Sequence, residues 1–338
     1  MRVFVTGTAG FIGYHLAARL LADGHEVTGY DGVTDYYDPA LKEARLELLR
    51  VSRDFHEVRG RLEDKTLLET SVAEAAPEVI VHLAAQAGVR HSLDHPSDYV
   101  ESNLVGTGNL LEAARATKPR HLLIASTSSV YGDGNSIFPF DEIAATDRPL
   151  SLYAATKKAN EVISHAYAHL FLIPTTCFRF FTVYGPWGRP DMALFRFVGQ
   201  IERGEPIDLY GEGRMRRDFT YIDDLVEAVV RLIDRPPVAD NPIRGFDVGD
   251  SLSPVAPWRV VNIAGGQPEE LTALVAAAEA VLGKKAQKRL LPMQPGDVRE
   301  TWASPDLLRA LTGYVPATPL AEGVRRFVDW YRAYTGRG

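Results

Sequence analysis

The first half of the chain alternates short apolar runs with longer amphipathic stretches. Strands are predicted at residues 3–6 and 26–30, with a helix over residues 11–23 between them. Strands that alternate with helices pair in parallel through right-handed crossovers. The nearly continuous apolar run at residues 79–83 fits a sheet that helices cover on both faces. The alternation therefore predicts an α/β fold built on a doubly wound parallel (Rossmann) sheet.

The same patterns place further elements along the whole chain. Further strands are predicted at residues 55–58, 121–125, 175–180 and 208–210. Further helices are predicted at residues 39–49, 65–75, 98–116, 152–172, 192–203, 223–233, 268–282 and 319–333. The stretch 236–257 carries five prolines and no periodicity, so we expect a surface loop there.

The length of 338 residues predicts two units, at about 150 residues per domain. Residues 1–180 form the predicted Rossmann domain, to which elements of residues 219–263 return. Loops rich in Gly, Pro and Arg separate the helices beyond that domain. Residues 181–338 are therefore expected to form mainly a smaller α/β lobe.

Composition excludes several classes of protein. Apolar residues make up 46% and charged residues 24%, which is ordinary for a globular chain. A net charge of −7 argues against binding to nucleic acid or to an anionic membrane. No apolar run approaches the roughly 20 residues of a membrane span, and the N-terminus does not resemble a signal peptide. We expect a cytoplasmic protein, and no metal site, since the single Cys177 allows no multi-cysteine site.

Three glycines join the first predicted strand to the first helix. Gly7, Gly10 and Gly13 lie where backbone N–H groups and a helix N-terminus can meet a pyrophosphate. The second strand leads to Asp31, whose carboxylate can accept a hydrogen bond from a ribose 2′-hydroxyl. No basic residue directly follows Asp31, so a 2′-phosphate would be repelled. The pattern favours NAD over NADP, and the alternative is a tight turn that only packs the helix.

A tyrosine and a lysine open the long helix at residues 152–172. Tyr153 and Lys157 are four residues apart and so share one face of that helix. An ammonium group near the phenol, together with oxidised nicotinamide, lowers the phenol pKa from about 10. Tyr153 is therefore a candidate general base for a sugar hydroxyl. The alternative is an exposed tyrosine beside a solvated lysine.

The glycine spacing, the Leu83-Ala84-Ala85 run and the Tyr153/Lys157 pair resemble the extended short-chain dehydrogenase/reductase superfamily. A narrower resemblance, to the UDP-glucuronate 4-epimerases, spans almost the whole chain. It rests on the sequence RFFTVYGPWGRPDMA at residues 179–193, with DYYD at 35–38, AQAGVR at 85–90, RDFTYIDD at 217–224 and QPGDV at 294–298.

The narrower resemblance implies a homodimeric, NAD-dependent enzyme that interconverts UDP-glucuronate and UDP-galacturonate through a 4-keto sugar. NAD would bind residues 1–180, and the UDP-sugar mainly residues 181–338. The implied catalytic residues are Thr127, Tyr153 and Lys157. The implied cofactor contacts are Gly7, Gly10, Phe11, Ile12, Gly13, Asp31, Leu62, Leu83, Ala84, Ala85, Ser126, Tyr153, Lys157, Phe180 and Val183.

The implied substrate contacts divide the UDP-sugar into parts. Arg189 would bind the sugar carboxylate through its two-pronged guanidinium, with hydroxyl groups sharing that carboxylate. By family match, Arg217 would contact the diphosphate, Asp297 the ribose and Tyr210 the uracil. The full implied set is Thr127, Ser128, Thr182, Arg189, Tyr210, Arg217, Asp297 and Arg90.

Other functions stay open at this point. Nucleotide-sugar dehydratases and UDP-glucuronate decarboxylases carry acidic residues where this chain has Ser128 and Ser129. The alternatives are a UDP-glucose or UDP-N-acetylhexosamine 4-epimerase, a UDP-glucuronate decarboxylase, or a non-catalytic regulator that binds NAD or nucleotide sugars. Two departures from the family concern the cofactor: Arg61 replaces an adenine-contacting Asp, and Gly32 replaces a common Asn.

Overall fold

The computed structural model of the protein describes residues 1–133, 138–243, 249–294 and 297–336. The strands are β1 (Arg2–Thr6), β2 (Glu26–Asp31), β3 (Phe55–Arg59), β4 (Val79–His82), β5 (His121–Thr127), β6 (Thr175–Phe180), β7 (Thr182–Tyr184), β8 (Ile207–Tyr210), β9 (Arg216–Tyr221), β10 (Trp258–Ile263), β11 (Pro268–Glu270), β12 (Lys288–Leu291) and β13 (Glu300–Thr301). The helices are α1 (Phe11–Ala22), α2 (Pro39–Leu49), α3 (Lys65–Ala75), α4 (His91–Asp94), α5 (Pro96–Tyr99), α6 (Gly106–Thr117), α7 (Leu152–Phe171), α8 (Ala193–Arg203), α9 (Ile222–Ile233), α10 (Leu271–Leu282), α11 (Asp306–Thr312) and α12 (Leu320–Thr335).

Within these residues, seven strands form one parallel sheet in the order β10-β6-β5-β4-β1-β2-β3. The chain builds outward from β1 to β3 and then returns to β4 on the other side of β1. In such sheets, ligands bind in the crevice at the carboxyl ends of the strands where the order reverses. The predicted doubly wound parallel sheet is confirmed, and the reversal between β1 and β4 marks the expected place of the site.

Both faces of the sheet are buried. Along β1, Val3 and Val5 pack into one apolar cluster and Phe4 packs into the cluster on the opposite face. This follows from the alternation of side chains along a strand. The helices therefore cover both sides, as the nearly continuous apolar strands predicted.

The second half of the chain adds smaller sheets beside the main one. β9 pairs with β7 and β13 in parallel and with β11 in antiparallel orientation, and β12 pairs with β8 in parallel. Strand β10, at residues 258–263, lies in the main sheet beside β6. Helix α9 packs against α1, so the two halves of the chain interleave.

Three predicted elements differ from the structure. The helix predicted over residues 268–282 begins only at Leu271, because the preceding residues pair with β9. The helix predicted over residues 98–116 is broken into α5, a π-helical turn at Val100–Val105 and α6. In the loop at residues 236–257, Ser253 and Ala256 are buried rather than exposed, and residues 244–248 lie outside the described part.

Among the residues that the structure describes, no helix is both long and apolar enough to cross a membrane.

Candidate active site

A cleft of about 710 Å³ opens at the carboxyl ends of the central strands. Its wall combines the turn between β1 and α1, the ends of β2, β4 and β5, the start of α7 and part of residues 180–192. Every residue that the sequence predicted to contact the cofactor lies on this wall: Gly7, Gly10, Phe11, Ile12, Gly13, Asp31, Leu62, Leu83, Ala84, Ala85, Ser126, Tyr153, Lys157, Phe180 and Val183.

The glycine turn brings the backbone close to the cleft. Gly7 has a φ of 83°, and a Cβ there would lie 2.8 Å from the Ala84 nitrogen. A Cβ on Gly13 would lie 1.9 Å from the Gly7 carbonyl oxygen, so neither position accepts a side chain. The first N–H groups of α1 have no intrahelical acceptor, and no side chain caps them. This bare helix N-terminus suits the pyrophosphate of a dinucleotide.

Asp31 ties the glycine turn to β2. Its Oδ2 accepts a hydrogen bond from the Ala9 amide at 2.9 Å, and its Oδ1 accepts one from the Val33 amide at 2.7 Å. Burial raises the pKa of Asp31, while these hydrogen bonds and the charge of Lys42 act in the opposite direction. The carboxylate therefore has a structural role besides any contact with a ribose.

No basic residue directly follows Asp31 in the sequence, but the fold brings a cation close to it. Lys42 lines the cleft, and its Nζ donates to the Thr34 carbonyl at 2.6 Å and to the Thr34 hydroxyl at 3.1 Å. Burial lowers the pKa of Lys42, and the charge of Asp31 opposes that shift. The lysine comes from α2, so only the folded chain brings it to the end of β2.

Tyr153 lies in the first turn of α7 and faces the cleft. Ser151 caps the helix by accepting a hydrogen bond from the Ala154 amide at 3.2 Å, which fixes where the helix begins. Burial raises the pKa of the Tyr153 phenol, and the Thr127 hydroxyl and the Arg189 charge lower it. The sequence predicted that Lys157 and oxidised nicotinamide together lower this pKa. Among the groups of the chain itself, burial has the largest effect on the Tyr153 pKa, and the opposing cation is Arg189.

Lys157 is buried one helical turn further, with 2% of its surface exposed. Burial lowers the pKa of Lys157 to about 8, and the nearby Cys177 and Glu161 act against this shift. The lysine lies on the same side of α7 as Tyr153, as the spacing predicted, and both line the cleft.

A buried ion pair that the sequence analysis did not identify lies behind Lys157. Arg179 donates to both carboxylate oxygens of Glu161, each at 2.9 Å, and Ser126 donates to the same carboxylate at 2.6 Å. Burial alone would raise the pKa of Glu161, but Arg179, Lys158 and Ser126 together outweigh burial and lower the pKa to about 2. Because Ser126 also lines the cleft, the pair anchors the end of β5 to α7.

Arg189 lines the cleft, but its guanidinium already has a partner. Nε donates to Oδ1 of Asp191 at 3.0 Å, and Nη2 donates to Oδ2 at 2.5 Å. The guanidinium also lies 5.6 Å from the centre of the Tyr36 ring, and the Tyr36 hydroxyl donates to Asp191 at 3.3 Å. Two of the three guanidinium nitrogens therefore face Asp191, so the two-pronged contact with a substrate carboxylate that the resemblance implies is not open at Nε and Nη2 in this arrangement.

The remaining predicted substrate residues divide into two groups. Thr127 lies on the cleft wall, whereas Ser128 and Thr182 are not among the described residues that line it. The other four predicted substrate residues, Arg90, Tyr210, Arg217 and Asp297, form a second cluster. Arg90 pairs with Asp297 at 3.2 Å and stacks over the Tyr210 ring at 4.9 Å, and Arg217 donates to the Val298 carbonyl at 2.7 Å, next to Asp297.

The second cluster joins the cleft through its neighbours in sequence. Gly88, Val89 and His91 flank Arg90 and line the cleft. Asp297 is described, whereas residues 295–296 of the same motif lie outside the described part. The structure thus brings Arg90, Tyr210, Arg217 and Asp297 together beside one end of the cleft.

The two departures from the family lie side by side on the cleft wall. A Cβ on Gly32 would lie 3.3 Å from Cγ of Arg61, so glycine there leaves room for the arginine. Arg61 in turn pairs with Glu63 at 3.1 Å, and Glu63 also lines the cleft. The two replacements therefore fit one another sterically.

Comparison with known proteins agrees with this geometry. The model of the family described as "NAD dependent epimerase/dehydratase family" matches residues 3–248. A probable UDP-glucuronate 4-epimerase of Rhizobium meliloti is 57% identical, with 98% of this chain and 97% of the relative aligned. UDP-glucuronate 4-epimerase 6 of Arabidopsis thaliana is 45% identical, with 99% of this chain and 72% of the relative aligned.

Solved structures match over nearly the full length. The UDP-glucuronic acid 4-epimerase of Bacillus cereus, crystallised with UDP-glucuronic acid and NAD, has a TM-score of 0.87 and 32% identity, and the match covers 99% of this chain and 100% of that chain. The UDP-glucose 4-epimerase of Thermus thermophilus with NAD has a TM-score of 0.83 and 30% identity, and the match covers 98% and 99%. The chain belongs to the NAD dependent epimerase/dehydratase family.

Proposed function

We propose that the protein is a UDP-glucuronate 4-epimerase, which uses NAD to interconvert UDP-glucuronate and UDP-galacturonate through a 4-keto sugar. One observation carries the proposal: a single cleft holds a dinucleotide turn, the half-buried Tyr153 with the buried Lys157, and Arg189. The first two provide for oxidation of a sugar hydroxyl. The third provides a cation for an acidic sugar within the same cleft.

The glycine turn and Asp31 are the residues that would hold NAD. The missing side chains at Gly7 and Gly13 let the backbone approach a pyrophosphate, and the bare N-terminus of α1 supplies its N–H donors. When bound, NAD supplies a reversible acceptor for the hydride on C4 of the sugar.

In this proposal, Tyr153 removes the proton from the 4-hydroxyl as general base. The Thr127 hydroxyl, which acts on the same phenol, donates a hydrogen bond to the oxygen being oxidised. When its amine is protonated, Lys157 adds positive charge near the phenolate. The 4-keto sugar then turns about its diphosphate, so that reduction on the opposite face inverts C4.

Arg189 is assigned to the sugar carboxylate. A 4-keto uronate is a β-keto acid, and it loses CO₂ when the bond from C5 to the carboxylate is perpendicular to the carbonyl plane. Holding the carboxylate in another orientation is therefore part of catalysis. The ion pair with Asp191 supports this role, since it fixes the plane of the guanidinium before substrate arrives.

The UDP part is assigned to the second cluster. Arg90, Tyr210, Arg217 and Asp297 provide two cations, an aromatic face and a carboxylate beside the cleft. We propose that residues 181–338 supply most of this UDP site, whereas residues 1–180 supply the NAD site. A fixed UDP is what allows the sugar to rotate without leaving the protein.

The test is an incubation of the purified protein with UDP-glucuronate, followed by separation of the nucleotide sugars. UDP-galacturonate is the expected product, with little or no UDP-pentose. UDP-glucose is tested in parallel at the same concentration. A UDP-pentose as the main product, or faster turnover of UDP-glucose, would replace the proposal with a decarboxylase or a neutral-sugar epimerase.

We also propose a homodimer that forms through α6 and α7. The support is a set of exposed apolar side chains on and before these two packed helices: Val100, Val105, Val162 and Leu170. Helix α7 also carries small side chains that are not buried, Ala155, Ala159 and Ala166, whereas Ala154 is 1% exposed and packs inside the protein. Light scattering at micromolar concentration should give twice the chain mass of 37.3 kDa, and a monomeric mass would contradict the proposal.

A further inference from the structure

Three potential metal ligands converge on the rim of the cleft. One nitrogen each of His91 and His95 and one carboxylate oxygen of Asp98 all lie within 4.8 Å of one another. All three side chains line the cleft, and His95 is exposed while the other two are half-buried. Among the residues that the structure describes, no other three His, Cys, Asp or Glu side chains come together in this way.

The backbone explains why the three side chains converge. His91 opens α4, and His95 lies in the break between α4 and α5 with φ −128° and ψ 60°. Pro96 follows, and a residue before proline is driven out of the helical region. The break therefore holds His95 beside His91, with the two rings stacked 4.3 Å apart, while Asp98 in α5 faces the same place.

The three side chains keep ligand atoms available. Nδ1 of His91 lies 3.3 Å from the Tyr99 hydroxyl, which leaves its other ring nitrogen for a metal, as is usual for metal-binding histidines. Within the described chain, no hydrogen bond or ion pair engages the His95 ring or the Asp98 carboxylate. Arg61, the nearby cation that senses the Asp98 charge, is itself paired with Glu63.

We propose that His91, His95 and Asp98 bind a divalent transition-metal ion of the zinc class. Two imidazoles and one carboxylate form a ligand set that Zn²⁺ accepts, whereas Mg²⁺ and Ca²⁺ prefer oxygen ligands alone. Tetrahedral coordination places ligand atoms about 3.3 Å apart, at the usual bond length of about 2.0 Å to nitrogen or oxygen. Side-chain rotation of His95, which is exposed, can close the present separation.

The bound ion would regulate the cleft rather than take part in the chemistry. Three protein ligands leave one position open, and all three lie on the wall shared with Tyr153 and Arg189. An ion there narrows the entrance, so it should inhibit turnover reversibly. This consequence rests on the proposed epimerase function, whereas the binding site itself does not. The expectation of no metal site rested on the single cysteine alone, and histidine and carboxylate ligands are independent of it.

Co²⁺ is the probe of choice, since it replaces Zn²⁺ and absorbs strongly in the visible range when tetrahedral. The NAD-loaded protein is titrated with Co²⁺, and Zn²⁺ binding is measured in parallel by equilibrium dialysis. We expect one ion per chain and a tetrahedral cobalt spectrum. His95→Ala and Asp98→Asn should each weaken binding at least tenfold.

The matched control is His56→Ala, because His56 is an exposed histidine on β3 that faces Glu26 at 3.4 Å. It should bind Co²⁺ and Zn²⁺ like the wild type. Unchanged binding in His95→Ala, equal losses in His56→Ala, or the absence of a tetrahedral spectrum would each overturn the site. Inhibition by Zn²⁺ should disappear in His95→Ala. Metal binding is measured without turnover. A negative epimerase assay would therefore contradict the proposed function but not the metal site.

Discussion

The guanidinium of Arg189 and the carboxylate of Asp191 meet side-on through two hydrogen bonds, Nε to Oδ1 at 3.0 Å and Nη2 to Oδ2 at 2.5 Å. The pair fixes the plane of the guanidinium and engages two of its three nitrogens. Arg189 also lines the cleft, and its charge acts on the Tyr153 phenol. We therefore propose that a substrate carboxylate binds through Nη1, the nitrogen that Asp191 does not engage.

Arg189→Ala should weaken the binding of UDP-glucuronate by roughly 2–4 kcal/mol, as expected for the loss of one partner of a hydrogen-bonded charge pair. Binding of UDP alone should change little, because UDP is assigned to the cluster around Arg217. Part of the 4-keto sugar should also lose CO₂ and give a pentose that the wild type does not release. Calorimetry with both ligands and analysis of the products measure these effects.

Arg203→Ala is the matched control for that experiment. Arg203 makes the same two-point pair with a carboxylate two residues away, Glu205, at 2.9 and 2.8 Å, but it lies at the end of α8 away from the cleft wall. It should bind both ligands as the wild type does. If Arg189→Ala lost affinity for UDP and UDP-glucuronate equally, the arginine would not distinguish the uronate.

Tyr153→Phe should abolish turnover while the fold and the NAD content stay close to those of the wild type, because only the ionisable oxygen is removed. The control is Tyr167→Phe, in which a tyrosine of the same helix loses a hydroxyl that bonds to Glu112. Turnover, NAD absorbance and circular dichroism are measured for both variants. Activity above a few per cent of wild type in Tyr153→Phe would assign the general base elsewhere.

Local patterns were enough to predict six of the seven strands that the structure describes in the main sheet, whereas β10 was not predicted as a strand. The bounds of α2 agree with the prediction, because Pro39 starts the helix and Asp38 caps it through the Ala40 amide at 2.9 Å. The short strands of the second half were harder. β12 pairs with β8 across 81 residues, from Lys288 to Ile207. Its four residues, KRLL, neither alternate in polarity nor form an apolar run, so they carry no strand signal.

The site was predictable where its residues follow one another in sequence, as in the glycine turn and the Tyr153/Lys157 pair. It was not predictable where distant segments meet. Arg45 is fully buried and donates to the carbonyls of Ala9 at 2.7 Å and Trp187 at 2.6 Å, so it links the cofactor turn to the loop of Arg189. Nothing in its helical context distinguishes it from the exposed arginines that are usual on such helices.

Lys157 should make the stability of the protein depend on pH. Its pKa is about 8 in the folded protein and 10.5 ordinarily, so between these values the unfolded chain holds a proton that the folded chain has lost. The free energy of unfolding should therefore rise with pH through this window, by up to about 3 kcal/mol, relative to Lys157→Met. Urea unfolding of both proteins at pH 7 and pH 10 measures this difference.

The control for the pH experiment is Lys65→Met, since Lys65 is exposed at the start of α3. Its stability relative to the wild type should be nearly the same at both pH values. If the difference between wild type and Lys157→Met also stayed constant, the lysine would titrate at its ordinary pKa despite its burial.

Asp31 and Lys42 together should set the preference between NAD and NADP. The carboxylate of Asp31 repels a 2′-phosphate and can accept a hydrogen bond from the 2′-hydroxyl, so the wild type should prefer NAD by at least 100-fold, or about 3 kcal/mol. Asp31→Ser should remove most of that preference, because Lys42 remains beside the site as an uncompensated cation. The double variant Asp31→Ser/Lys42→Met separates the two charges, since it should bind NADP more weakly than Asp31→Ser does.

The dissociation constants for NAD and for NADP are measured on protein freed of nucleotide. Their ratio cancels any general loosening of the turn caused by the lost Ala9 and Val33 hydrogen bonds. Equal affinity of the wild type for NAD and NADP would contradict the role of Asp31, and equal NADP affinity in the single and double variants would contradict the role of Lys42.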